Sequence, residues 1–106
     1  MAMSNNGFSK LVEETGELQQ VVGKVLAYGL ECDNHPDGGK PLADRFIEES
    51  GDVIAAIYFI MQKYNLSSED LNKRTSLKLI LLRRGMKRIE LCAEYLKNYL
   101  IKNTHH

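Results

Sequence analysis

The chain has no tryptophan, only two prolines, two cysteines and three histidines in 106 residues, and its formal net charge is zero. Each scarcity excludes a class of function. Cys32 and Cys92 stand far apart and belong to no CxxC or Cys/His spacing, which excludes a zinc knuckle or a disulfide framework and fits ordinary thiols in a reducing compartment. Balanced totals of 14 basic and 14 acidic residues argue against broad electrostatic attraction to nucleic acid, and no stable nucleic-acid partner is expected. No apolar run approaches the roughly 18 residues of a membrane span, and residues 1–10 lack the apolar core of a signal peptide. A cytoplasmic protein with no membrane partner is therefore expected. Histidine scarcity removes one more possibility. His105 and His106 end the chain and are given no role, so His35 is the sole interior histidine and the ExxH pairs of helical di-iron sites are absent.

What remains is apolar and charged in a helical rhythm. With 43% hydrophobic residues, the length suits one domain over residues 1–106 with a modest core. Charge is distributed unevenly: residues 1–64 carry 5 basic and 10 acidic side chains, and residues 65–106 carry 9 basic and 4 acidic ones. The two halves should attract each other. From about residue 4 to residue 30, Phe8, Leu11, Val12, Leu18, Val22, Val25 and Leu26 recur at the spacing of an amphipathic helix, with Gly29 as its stop. Residues 31–41 concentrate turn formers and read as a connector. Leu42, Phe46, Val53, Ile57, Ile60 and Tyr64 predict a second helix over about 42–64. Ser67, three residues before Asp70, opens a third helical segment running to about residue 103, which Gly85 either divides or bends. Its run from Leu77 to Leu82 is apolar on more than one face, too much for a small monomer to bury, and predicts a subunit interface.

The acids are placed against this rhythm rather than along it. Glu13-Glu14-Thr15-Gly16-Glu17 lies on the first helix and Glu48-Glu49-Ser50-Gly51-Asp52 on the second. Residues three apart share a helix face, so Glu14 with Glu17, and Glu49 with Asp52, each form a pair bordering the apolar stripe. Four carboxylates converging from two antiparallel helices repel one another and take up protons unless a cation neutralises them. Oxygen donors without histidine or thiolate suit a hard divalent ion, Mg²⁺ with Mn²⁺ as a substitute, and such ions commonly engage phosphate.

These two motifs resemble the EExxE and ExxD signature of the MazG-like nucleoside triphosphate pyrophosphohydrolases, over roughly the first 60 residues. The resemblance implies an all-α antiparallel helical bundle completed by oligomerisation into a homodimer or homotetramer. It also implies Mg²⁺ ligands at Glu14, Glu17, Glu49 and Asp52, with Glu13 and Glu48 as neighbouring acids. The expected activity is hydrolysis of the α–β phosphoanhydride of a (deoxy)nucleoside triphosphate to the monophosphate and pyrophosphate. Glu13, Glu14 and Glu48 are candidates for the proton acceptor, and the sequence does not choose among them. Lys24, on the face of Glu17, and Lys73, Arg74 and Lys78 on the third helix are candidate phosphate ligands. The run from Arg83 to Arg88 is assigned to surface. Tyr28, Asn34, His35 and Tyr58 are candidates for base recognition. Two alternatives stand beside this reading: a non-catalytic helical interaction module using the Leu77–Leu82 face, and a nucleotide sensor that binds without hydrolysis.

Overall fold

The computed structural model describes residues 7–86 and 96–102, and every regular element within them is helical. Helix α1 spans Phe8–Tyr28, α2 spans Leu42–Lys63 and α3 spans Ser68–Met86, with a further helical stretch over 96–102. The all-α class expected from periodicity is what is found, and no strand occurs among the described residues. The expected helix start near Ser4, and Lys87, Arg88, Ile89 and Cys92 of the C-terminal segment, lie outside the described residues.

Local chemistry sets the ends of these helices. Gly29 stops α1 at φ 93°, a conformation open to glycine and strained for other residues, and its N–H closes the last turn on the Val25 carbonyl. Pro41 precedes α2 with φ −53°, and its carbonyl accepts the Arg45 N–H at 3.1 Å. Asp44 in the first turn and Lys63 in the last complement the helix dipole. At its C-terminus, Asn65 takes a left-handed φ of 53°, while Leu66 N–H reaches the Met61 carbonyl and Asn65 N–H the Gln62 carbonyl. That pair of bonds is the Schellman pattern. Ser67 then caps α3, its hydroxyl accepting the Asp70 N–H at 3.0 Å, as the Ser67/Asp70 spacing predicts.

The chain falls into two compact units, Met1–Leu66 and Ser67–His106. In the first, α1 and α2 pack as an antiparallel pair: Phe8 at the start of α1 meets Tyr64 just past α2, ring centroids 5.7 Å apart. Val21 and Leu42 are wholly enclosed, joined by Ala56 and Ile60. Two helices have too few faces to cover their apolar residues. Val12, Leu26 and Ile47 are 71%, 83% and 70% exposed, on the sides of α1 and α2 turned away from this core. In the second unit Ile80 is buried, while Leu77, Leu79, Leu81 and Leu82 are exposed.

The connector is tied to both helices. Asp37 pairs with Lys24 of α1 at 2.9 Å, and Lys40 pairs with Glu48 of α2 at 2.8 Å. Two residues before Asp37, His35 is 3% exposed, its Nε2 3.0 Å from the Lys40 carbonyl. A carbonyl only accepts, so Nε2 carries the proton. The His35 carbonyl in turn accepts the Gly38 N–H at 2.9 Å, so this histidine organises a turn.

The first unit depends on few enclosed side chains, and removing one should register fully. Leu42→Ala is expected to lower unfolding free energy by about 2–5 kcal/mol. The exposed control Gln20→Ala should stay within about 0.5 kcal/mol. Urea unfolding followed by circular dichroism checks both.

Candidate functional site

Six acids stand on α1 and α2 at matching offsets. On α1, burial of Val21 turns Glu14, seven residues earlier and nearly in line with it, towards α2, and Glu14 is only 8% exposed. Glu13 and Glu17 flank it, and one carboxylate oxygen from each of Glu13, Glu14 and Glu17 lies within 4.8 Å of the others. On α2, burial of Leu42, Ala56 and Ile60 places Glu49, on the same stripe, facing α1. Glu49 is half-buried and Asp52, one turn on, is exposed.

Acids of the two helices influence one another's protonation. The Glu14 carboxyl is held above its ordinary range, first by burial and then by the Glu17 charge; Lys10 opposes this, and Asp52 and Glu13 reinforce it. Glu49 is raised first by burial and then by Glu17, Asp52, Glu48 and Glu14. Each therefore feels acids of the opposite helix. The tight trio is drawn from α1 alone, with Glu13 in it, and Glu49 and Asp52 face it from α2. One oxygen, Oε2 of Glu49, is buried without a hydrogen-bond partner, a state that is expensive for a carboxylate. An all-oxygen donor set with an unpartnered buried lone pair suits a hard divalent cation. Among the described residues only Glu13, Glu14 and Glu17 bring carboxylate oxygens within 4.8 Å of one another; Glu49 and Asp52, expected from sequence to share the ligand set, are not part of that trio.

The flanking acids differ. Glu48 is held below its ordinary range by the hydrogen bond from Lys40 and by the charge of that ammonium, so it is a weak proton acceptor. Glu13 receives a hydrogen bond from Lys10 at 3.1 Å, and the same ammonium stands 3.9 Å from Glu14. Lys24, chosen from sequence as a phosphate ligand, is instead engaged by Asp37 and holds the connector. On α3, Lys73 lies 3.7 Å from Glu69 at the edge of an open depression that Tyr99 also lines, and Lys78 shares a shallow apolar surface with Arg74, Leu79 and Leu82.

Beside the acids lies an open pocket of about 490 Å³ within the first unit. Lys10, Glu14 and Asp52 form its polar side, Ala55, Ala56 and Phe59 its apolar side, and Gly7 closes one end. Tyr28, Asn34, His35 and Tyr58 do not line it. Lys10 and Phe59 are the residues that sequence reasoning missed. The signal for Lys10 was its position three and four residues before Glu13 and Glu14; Phe59 is seven residues beyond Asp52, two turns along the same stripe.

Without a cation, this cluster should destabilise the fold in a pH-dependent way. Raised carboxyl pKa values mean that the folded state binds protons more tightly than the unfolded state. The contribution of Glu14 and Glu49 is thus present below their unfolded value near 4.5 and is lost as pH rises through the raised folded values. Glu48 and Asp37, both lowered, act oppositely, their contribution present above the unfolded value and lost as pH falls. In EDTA, over about pH 4.5 to 7.5, Glu49→Gln is therefore expected to gain stability over the wild type as pH rises above the unfolded value, the gain levelling off once the raised folded value is passed. Adding MgCl₂ at pH 7.5 should raise the melting temperature of the wild type and leave that of Glu49→Gln nearly unmoved. Calorimetric scans across that pH range check both, and equal melting curves for the two proteins would remove the case for a strained cluster.

Compared with protein-family models, curated proteins and solved structures, the chain matches none.

Proposed function

We propose that this chain is a MazG-like, Mg²⁺-dependent nucleoside triphosphate pyrophosphohydrolase, Mn²⁺ serving as a substitute. The observation that carries the proposal is the acid cluster shared by α1 and α2, with Glu14 and Glu49 raised by burial and by each other's helix, and Oε2 of Glu49 buried without a partner. Residues so arranged are poor structural choices and good ligands.

Glu14, Glu17, Glu49 and Asp52 would hold the cation, and Glu13 would border them. When bound, the ion supplies Lewis-acid activation of water and neutralises charge on the phosphates. The chain's own groups do the rest. Water attacks the α-phosphorus, the α–β anhydride bond breaks, and the products are a nucleoside monophosphate and pyrophosphate. Glu13, Glu14 and Glu48 are the candidate proton acceptors for the attacking water; Lys40 keeps Glu48 a weak base, and Glu13, which stands outside the proposed ligand set, accepts a hydrogen bond from Lys10. Lys10, which lines the pocket and is 62% exposed along its side chain, is the ammonium offered to a phosphate oxygen there; it takes the role that sequence reasoning gave to Lys24.

The proposal includes a homodimer or homotetramer. Ile47, Ile54 and Tyr58 are exposed along one stripe of α2, and Val12 and Leu26 are exposed on α1. Apolar area of this kind on a two-helix unit is what a second copy covers.

The test is pyrophosphate release from a panel of ribo- and deoxynucleoside triphosphates with Mg²⁺. Turnover is expected with at least one of them, lost in EDTA and reduced about 100-fold or more by Glu49→Gln at unchanged helical content. A folded, oligomeric preparation that binds Mg²⁺-nucleotide and releases no pyrophosphate would be a sensor. One that binds no nucleotide would be an interaction module.

A further inference from the structure

We propose that Phe59 is the platform on which the base of the bound nucleotide stacks, an assignment that rests on the pyrophosphohydrolase reading and extends it to the substrate's other end. Three observations carry it. Phe59 lies on the same stripe of α2 as Asp52, seven residues further on, which at 1.5 Å per residue is about 10 Å along the axis. That separation is comparable with the span between the triphosphate and the base of an extended nucleotide. Between the two, Ala55 and Ala56 keep the helix surface low, so the intervening pocket of about 490 Å³ stays open.

The ring is held as well as exposed. It is 56% exposed, yet the backbone at Gly7 passes so near that a Cβ there would lie 2.9 Å from its Cδ1 and 3.1 Å from Ile60 Cγ1. Gly7 also has φ 104°, so both space and conformation select glycine. An aromatic face supported on one edge by backbone and open on the pocket side offers stacking to any base, because every base has a π-face. The charge pattern runs the right way too, with carboxylates and Lys10 at one end of the pocket and an uncharged ring at the other.

Equilibrium binding with Mg²⁺ tests this through three proteins and two kinds of probe. The proteins are wild type, Phe59→Ala and Phe59→Trp, which introduces the chain's only tryptophan. The probes are non-hydrolysable α,β-imido nucleoside triphosphates and inorganic tripolyphosphate, which has phosphates and no base. Phe59→Ala is expected to weaken nucleotide binding about tenfold or more and to leave tripolyphosphate binding unchanged. Phe59→Trp is expected to retain nucleotide binding, its fluorescence quenched by the nucleotide and unaffected by saturating tripolyphosphate. Nucleotide affinity unchanged in Phe59→Ala, or lost equally for both probes, would overturn the assignment, as would an indole that responds to both probes alike. Failure of the parent reading looks different: wild-type protein that binds nucleotide through Phe59 and releases no pyrophosphate loses the hydrolase and keeps the platform. Wild-type protein that binds neither probe loses both.

Discussion

Carboxylates drawn partly out of water and facing one another across two helices set the terms for the rest of the first unit. Glu14, Glu17, Glu49 and Asp52 push α1 and α2 apart, so something must hold the helices together near them. The apolar contact is small but decisive. Burying a Val, Leu or Ile contributes roughly 1.5–3 kcal/mol, and Val21, Leu42 and Ile60 are all enclosed between the helices. The ion pairs Lys24–Asp37 and Lys40–Glu48 have half-exposed or exposed members, and such pairs contribute at most about 1 kcal/mol each. Their effect is better described as placement: they fasten the connector at two points, leaving the helices to be held by the core. Residual repulsion is then what a divalent cation would relieve.

Much of this was legible in the sequence because it is local. Periodicity located α1, α2 and α3, and the chemistry of single residues located their ends. Gly29 stops a helix for the same reason in a peptide as in a fold, and Ser67 caps one because its hydroxyl reaches the Asp70 N–H. The inward turn of Glu14 also follows from a wheel drawn on one helix. Lys10 carried a local signal, three and four residues before Glu13 and Glu14; Lys24 and Phe59 were not legible in this way. Lys24 lies on the acidic face, as its spacing says, yet its partner is Asp37, thirteen residues away in the connector. Phe59 reads as one more apolar residue beside Ile60, and what distinguishes it is the approach of Gly7 from the start of α1, 52 positions earlier. A single helix shows which arc is apolar; only the pairing of two helices shows which border of that arc becomes the wall of a pocket.

A two-helix unit that carries both a charged pocket and uncovered apolar surface must keep them apart if both are to serve. At 100° per residue, Asp52 and Phe59 point within about 20° of each other on α2, while Ile47, Ile54 and Tyr58 lie roughly 120–160° round the helix from Asp52. A second copy seated on that apolar stripe would leave the acid cluster and the Phe59 ring open to a ligand. On α1 the division repeats: Glu13, Glu17 and Lys10 occupy one border of the buried arc, and Val12 and Leu26 lie beyond the other. Association and ligand binding would thus draw on opposite sides of the same pair of helices. Covering the apolar side would add to the few enclosed side chains that oppose the carboxylate repulsion. On this argument, a second copy and a bound cation would stabilise the same helix pair by independent means, one by adding apolar contact behind it and the other by removing charge in front.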